Sequence, residues 1–170
     1  MKRSTGIVLA ILGAGALLGV CVVAIVAAIA IPALVGAREK AKGRDKQARA
    51  MADIRQIAAA CEDYAREKHE YPPFGEAKEG FEILDAHLLW ACLVYSCTDC
   101  PFDDPWGHPY GYGATRDRRQ FVIVCRGSDG KINIDKFPVL HVSTHCFEDD
   151  IIWRNGGFIQ EPEGPQKKCR

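Results

Sequence analysis

The chain has 170 residues, 22 Lys and Arg against 22 Asp and Glu, a formal net charge of zero and 8 cysteines. Such a balance provides no basic face of the kind that binds nucleic acid, so no nucleic-acid partner is expected. The length holds one domain of ordinary size beyond the apolar N-terminal stretch, and a second does not fit.

Residues 1–5 carry Lys2 and Arg3, and no charge then interrupts the chain until Arg38. A helix needs about 20 apolar residues to cross a bilayer core, so residues 6–35 are predicted to span a membrane once. A cleaved secretory signal would have an apolar core of about half this length. A lipoprotein signal would need a small residue before Cys21, where Val20 stands, so Cys21 reads as an apolar helix residue. Gly15 and Gly19 have the small-xxx-small spacing that lets two membrane helices approach, and Gly13 widens the groove. Pro32, lacking an amide proton, is predicted to kink the helix near its exit.

Beyond the span, Arg38, Lys40, Lys42, Arg44, Lys46 and Arg49 are opposed only by Glu39 and Asp45, a solvated helix face suited to lipid headgroups. Ile54, Ile57, Ala58, Cys61, Tyr64 and Ala65 fall at helical spacing and predict that the helix continues through residues 36–70, its apolar stripe packed against a head. Tyr71-Pro72-Pro73 should stop it. The head occupies residues 71–160. The spacing of Phe81, Leu84, Leu88, Ala91 and Tyr95 predicts a short amphipathic helix over Phe81–Tyr95. The run from Phe102 to Tyr112 is too rich in proline and glycine for long regular structure, and predicts an ordered turn with Trp106 and Tyr110 as anchors. Phe121–Cys125 reads as a buried strand, Gly127-Ser128-Asp129-Gly130 as a turn, and Ile132–Asp135 as a second strand. Val139–Val142 is either a third strand or an extended loop. The polar tail 161–170, with Pro162, Gly164 and Pro165, is expected to fray.

Three groups of residues bear on chemistry. Asp129, in its tight turn, and Glu148, Asp149 and Asp150 offer hard oxygens of the kind calcium takes in sets of six to eight. Seven cysteines lie beyond the span: Cys61, Cys92, Cys97, Cys100, Cys125, Cys146 and Cys169. Outside the cytoplasm they would form up to three disulfides with one left over, in a pairing that spacing does not decide. In the cytoplasm Cys97 and Cys100, with Cys125, Cys146, His141 or His145, would be a zinc set. For catalysis the sequence offers little. His69, His87 and His108 are scattered, no nucleophile elbow or phosphate loop is present, and Asp103 and Asp104 before Pro-Trp-Gly read as turn formers. No enzymatic activity is expected.

The segment Ile25-Val26-Ala27-Ala28-Ile29-Ala30-Ile31-Pro32-Ala33-Leu34, followed by Arg38-Glu39-Lys40-Ala41, resembles the membrane half and exit of the spine helix in type IV pilins and the pseudopilins. Asp104-Pro105-Trp106-Gly107 with Pro109-Tyr110 resembles the major pseudopilin of type II secretion in particular. The resemblance implies an α+β, pilin-like fold: a long N-terminal helix whose distal half packs on a small antiparallel sheet. It implies a structural subunit of a secretion apparatus in the inner membrane, with its head in the periplasm. Its partners would be lipid, other pseudopilin subunits and the inner-membrane platform, with Gly15, Gly19 and Pro32 on the assembly surface. The positive-inside rule, by count alone, would instead place the head in the cytoplasm. The resemblance further implies calcium held by Asp129 and Asp150, with Glu148 or Asp149 and the Arg126 carbonyl as further ligands. The stretch from Lys131 to Phe147 is longer than that family leads one to expect. The family's processing site is also missing: counted back from Pro32, Ala10 precedes the cut and Gly15 replaces the usual glutamate, while a cut after Gly6 would put Ile11 there. An alternative is therefore an unprocessed single-pass membrane protein whose head binds a protein partner without polymerising.

Overall fold

The computed structural model describes residues 2–73, 83–93, 97–132 and 141–169, with side chains from residue 28 onward apart from those of Leu84, Leu88 and Trp90. The second-strand expectation at Ile132–Asp135, apart from Ile132, and the first half of the Val139–Val142 segment fall outside these residues. So do the surroundings of Gly15 and Gly19, whose backbone lies in the first helix.

Helix α1 runs from Lys2 to Lys68 and passes through Pro32. Two units divide the chain, residues 1–41 and residues 42–170. In the first, Ile29, Ile31, Leu34 and Val35 are exposed, the first of them by 70%. Among the described residues no helix is long and apolar enough to cross a membrane, and the side chains of most of the apolar run from Gly6 lie outside the description.

In the second unit, α1 buries the predicted stripe. Ala50, Ile54, Ile57, Ala58, Ala60 and Cys61 are buried, and Met51 and Tyr64 pack beside them. The helix closes at its C-terminus with the His69 amide donating to the Ala65 carbonyl at 2.8 Å and His69 in the left-handed region at φ 61°. Tyr71-Pro72-Pro73 then leads away, as the prolines require.

Six strands form one sheet in the order β1-β2-β3-β5-β6-β4. They are β1 (Leu84–Asp85), β2 (Gly111–Ala114), β3 (Phe121–Cys125), β4 (Val142–Cys146), β5 (Ile151–Arg154) and β6 (Gly157–Lys167). All pairings are antiparallel except the last, β4 with β6. Strand β3 is buried along its whole length, which is why it reads as an unbroken apolar run. Phe121, Ile123 and Cys125 join the core with the helix, and Val122 and Val124 join a second cluster with Ile152, Ile83 and Ile159.

Two expectations are corrected. Of the amphipathic helix expected over Phe81–Tyr95, the described residues 83–93 instead contain strand β1, a 3-10 turn at Ala86–Leu89 and one α-helical turn, α2, at Trp90–Leu93. Pairing of Leu84 with Tyr112, and the Ala86 amide donating to the Tyr110 carbonyl at 2.7 Å, draw the segment onto the sheet edge. The tail expected to fray from Glu161 is ordered in strand β6 up to Lys167. Its prolines are accommodated because the β4–β6 register slips between Thr144 and Cys146, and Gly164 turns within that slip at φ 65°.

The C-terminal strands are fastened to α1 at two points. A Cβ on Gly43 would lie 2.6 Å from the Phe147 ring, so glycine is what allows this close approach. One turn further, the buried Gln47 donates to the Gln166 side-chain oxygen at 3.2 Å, and Gln166 donates to the carbonyls of Thr144 at 2.8 Å and Glu163 at 3.0 Å. Ala in place of Gly in a helix ordinarily stabilises by about 1 kcal/mol. Here Gly43→Ala should lower the thermal midpoint, and adding Phe147→Leu should recover part of the loss; unfolding followed by circular dichroism on both variants tests this.

Candidate functional site

The loop from Phe102 to Tyr110 is built around one side chain. Asp104 is 4% exposed, and its Oδ1 accepts the amides of Trp106 at 2.9 Å and His108 at 3.0 Å. Its Oδ2 accepts the Cys125 thiol at 3.5 Å and lies 3.6 Å from His108 Nδ1. The backbone closes the same loop: the Asp104 amide donates to the His108 carbonyl at 2.7 Å, and the Tyr110 amide to Phe102 at 2.8 Å. Gly107 takes φ 91°, which only glycine adopts without strain. Asp104 is thus the turn former expected.

Two aromatic side chains carry this loop onto the spine. Tyr110 is fully buried and donates its hydroxyl to Asp53 at 3.0 Å. Trp106 packs on the core with Lys46 Nζ 5.8 Å from its ring centroid, within cation–π range. Burial pushes the Tyr110 hydroxyl far above its ordinary value, so it remains a donor at every physiological pH.

The predicted turn and acidic segment do come together. The Ser128 amide donates to the Phe147 carbonyl at 2.8 Å, and Gly127, at φ 61°, sits so close that a Cβ there would lie 2.5 Å from the Glu148 carbonyl oxygen. Three of the four acidic side chains accept backbone amides close by. Asp129 accepts the Lys131 amide at 3.0 Å, Asp149 the Cys146 amide at 3.2 Å, and Glu148 the Cys169 amide at 3.0 Å. Arg126 reaches back to Asp85 on β1 at 2.7 Å. Asp150 is fully buried, and its carbonyl accepts from Gln160 at 2.9 Å. Among the described residues, no three His, Cys, Asp or Glu side chains form a group able to hold a metal ion.

Among the described residues the cysteines form two disulfides, Cys97–Cys100 and Cys146–Cys169, within the limit of three. Cys61 and Cys125 are buried thiols and Cys92 is partly exposed. The zinc set is not assembled, since Cys97 and Cys100 bond to each other, Cys146 bonds to Cys169, His141 meets Glu161 at 2.9 Å and His145 meets the Glu163 carbonyl at 2.8 Å. Gln56 bonds both Cys97 Sγ, at 3.6 Å, and the Asp99 carbonyl, at 3.3 Å, which seats the small disulfide loop on the spine.

Gln47 and Gln166 are absent from the sequence-based site, although a polar residue in register with Ala50, Ile54 and Ile57 marks a buried hydrogen-bonding position. The β5–β6 hairpin also had its signal: Asn155 at φ 45° and Gly156 at φ 94° form the two-residue loop between paired Arg154 and Gly157. Asn155 further accepts the Phe121 amide at 3.0 Å.

A long helix laid on a mostly antiparallel sheet, with an Asp-Pro-Trp-Gly loop locked to the helix, defines an α+β protein of the pilin-like class. The family model for type II secretion system protein G matches residues 37–137, and the chain belongs to that family of major pseudopilins. Neither the curated proteins nor the solved structures give a match.

Asp104→Ala would strand two loop amides and should cost about 3 kcal/mol, whereas Asp104→Asn, which keeps an acceptor oxygen, should cost less; denaturant titration followed by tryptophan fluorescence measures both. Burial raises the thiols of Cys61 and Cys125, the latter with the Asp104 carboxylate adding to it. Alkylation of the native chain at mildly basic pH should therefore leave these two unlabelled while Cys92 reacts, as peptide mass mapping will show.

Proposed function

We propose that this pseudopilin is a structural subunit that assembles, through its spine helix, into a short periplasmic filament aiding protein export. The observation that carries this reading is the division of labour along α1. From Gln47 to Cys61 the helix buries a stripe against its own head, while Ile29, Ile31, Leu34 and Val35 leave an apolar surface exposed. Continuous with the uncharged run from Gly6, that surface suits lipid before assembly and the helices of neighbouring subunits afterwards. The basic residues from Arg38 to Arg49 would sit at the headgroup level of the inner membrane, with the head on the periplasmic side. The two disulfides favour the same side.

A second reading rests on one specific feature. With Gly15 or Ile11 where the family's glutamate would stand, the chain would remain an unprocessed single-pass anchor and bind a protein partner through its head. Intact mass, combined with cross-linking in host membranes, separates the two. The filament reading expects a chain shortened near Gly6 or Ala10, a ladder of cross-linked multimers, and loss of export when the chain is deleted. A chain beginning at Met1 that never cross-links to itself would replace it with the anchor reading.

A further inference from the structure

The turn Arg126–Gly130 and the segment Phe147–Asp150 are the two parts that a calcium loop would bridge, and here they are joined by other means. An ion with metal–oxygen bonds of about 2.4 Å needs its six to eight oxygens pointed at a common centre. Gly127 instead lies directly against the carbonyls of Glu148 and Asp149, with an added Cβ only 2.5 and 2.9 Å from their oxygens. Two of the carboxylates serve the backbone, while that of Asp150 is buried. Asp149 Oδ2 takes the amide of Cys146, and Glu148 Oε2 takes the amide of Cys169, at 3.2 and 3.0 Å.

Those two amides belong to the two residues of one disulfide, Cys146–Cys169. Between them the Phe147 amide donates to the Lys167 carbonyl at 3.0 Å, and the Phe147 ring seats on Gly43 of the spine. The disulfide, both acidic side chains and the C-terminal strand therefore form one cross-braced unit. We propose that this unit orders the acidic segment of the head in place of a calcium ion, so that thiol oxidation rather than a divalent cation completes the fold. Forming the bond takes two electrons and two protons from the thiols of Cys146 and Cys169. A protein or small-molecule disulfide accepts them and leaves as two thiols.

The test uses the full chain in detergent micelles, with unfolding followed by circular dichroism. For the oxidised chain, millimolar calcium and excess chelator should give midpoints within about 1 °C of each other. Replacing both Cys146 and Cys169 by serine should lower the midpoint by about 10 °C, because the bond closes a loop with a sequence separation of 23. The Cys97→Ser/Cys100→Ser control, with a separation of 3, should lower it by less. Should the first double variant fail to fold, equilibrium dialysis of the oxidised wild-type chain against radioactive calcium decides the matter. Binding well below one ion per chain upholds the proposal. Stoichiometric binding that Asp129→Asn abolishes would overturn it, as would a midpoint that calcium raises by several degrees.

Discussion

The carboxylate of Asp104 has no access to water, so its oxygens must find donors inside the protein or the fold carries the cost of a bare buried charge. Two amides of its own loop and the thiol of Cys125 meet that demand, and in doing so they fix where the loop can go. The loop must turn at Gly107, which presents Trp106 to Lys46 and sends Tyr110 down to Asp53. Helix, loop and central strand β3 are thus tied through a single acidic group. The Asp-Pro-Trp-Gly stretch carries its information in that tie: an acceptor, a rigid φ, an aromatic anchor and a residue free to take positive φ.

How much of this was legible in the sequence depended on whether the signal was local. The distal spine was legible because burial of one helix face repeats every 3.6 residues, and β3 because a strand buried on both faces must be apolar throughout. The loop was legible as a turn because its residue types leave few alternatives. The segment from Phe81 to Tyr95 misled because its helical spacing was real, yet pairing of Leu84 with Tyr112 prevailed over it. Strand β6 misled in the opposite way. Pro162, Gly164 and Pro165 read as breakers, and nothing local revealed that a slipped register would give them room. The cysteine pairing was illegible for the same reason, since it depends on which strands end beside one another.

Fastening of the C-terminal strands to the spine combines unlike forces over a single helical turn. Gly43 contributes an absence, the missing methyl that lets an aromatic ring settle on the helix backbone. Gln47 contributes a buried amide that the Gln166 side chain and the Cys146 carbonyl satisfy together. The first tolerates small displacements of the ring, while the second depends on direction, so together they set both the distance and the register of β6 against α1.

The strand order has a consequence for how this polypeptide reaches its final form. Strand β4 is synthesised before β5 and β6, yet it lies outside both, with β6 as its neighbour in the sheet. A ribosome or translocon delivers residues in sequence order, so β4 has no partner until Gln160 has emerged, and its last pairing waits for Lys167. Until then the sheet ends at an unfinished edge, and an unpaired strand edge is what chaperones and neighbouring chains can capture. Closure of the head is accordingly a late and nonlocal event. Truncation from Lys167 onward would remove that last pairing and the Cys146–Cys169 bond rather than a dispensable tail.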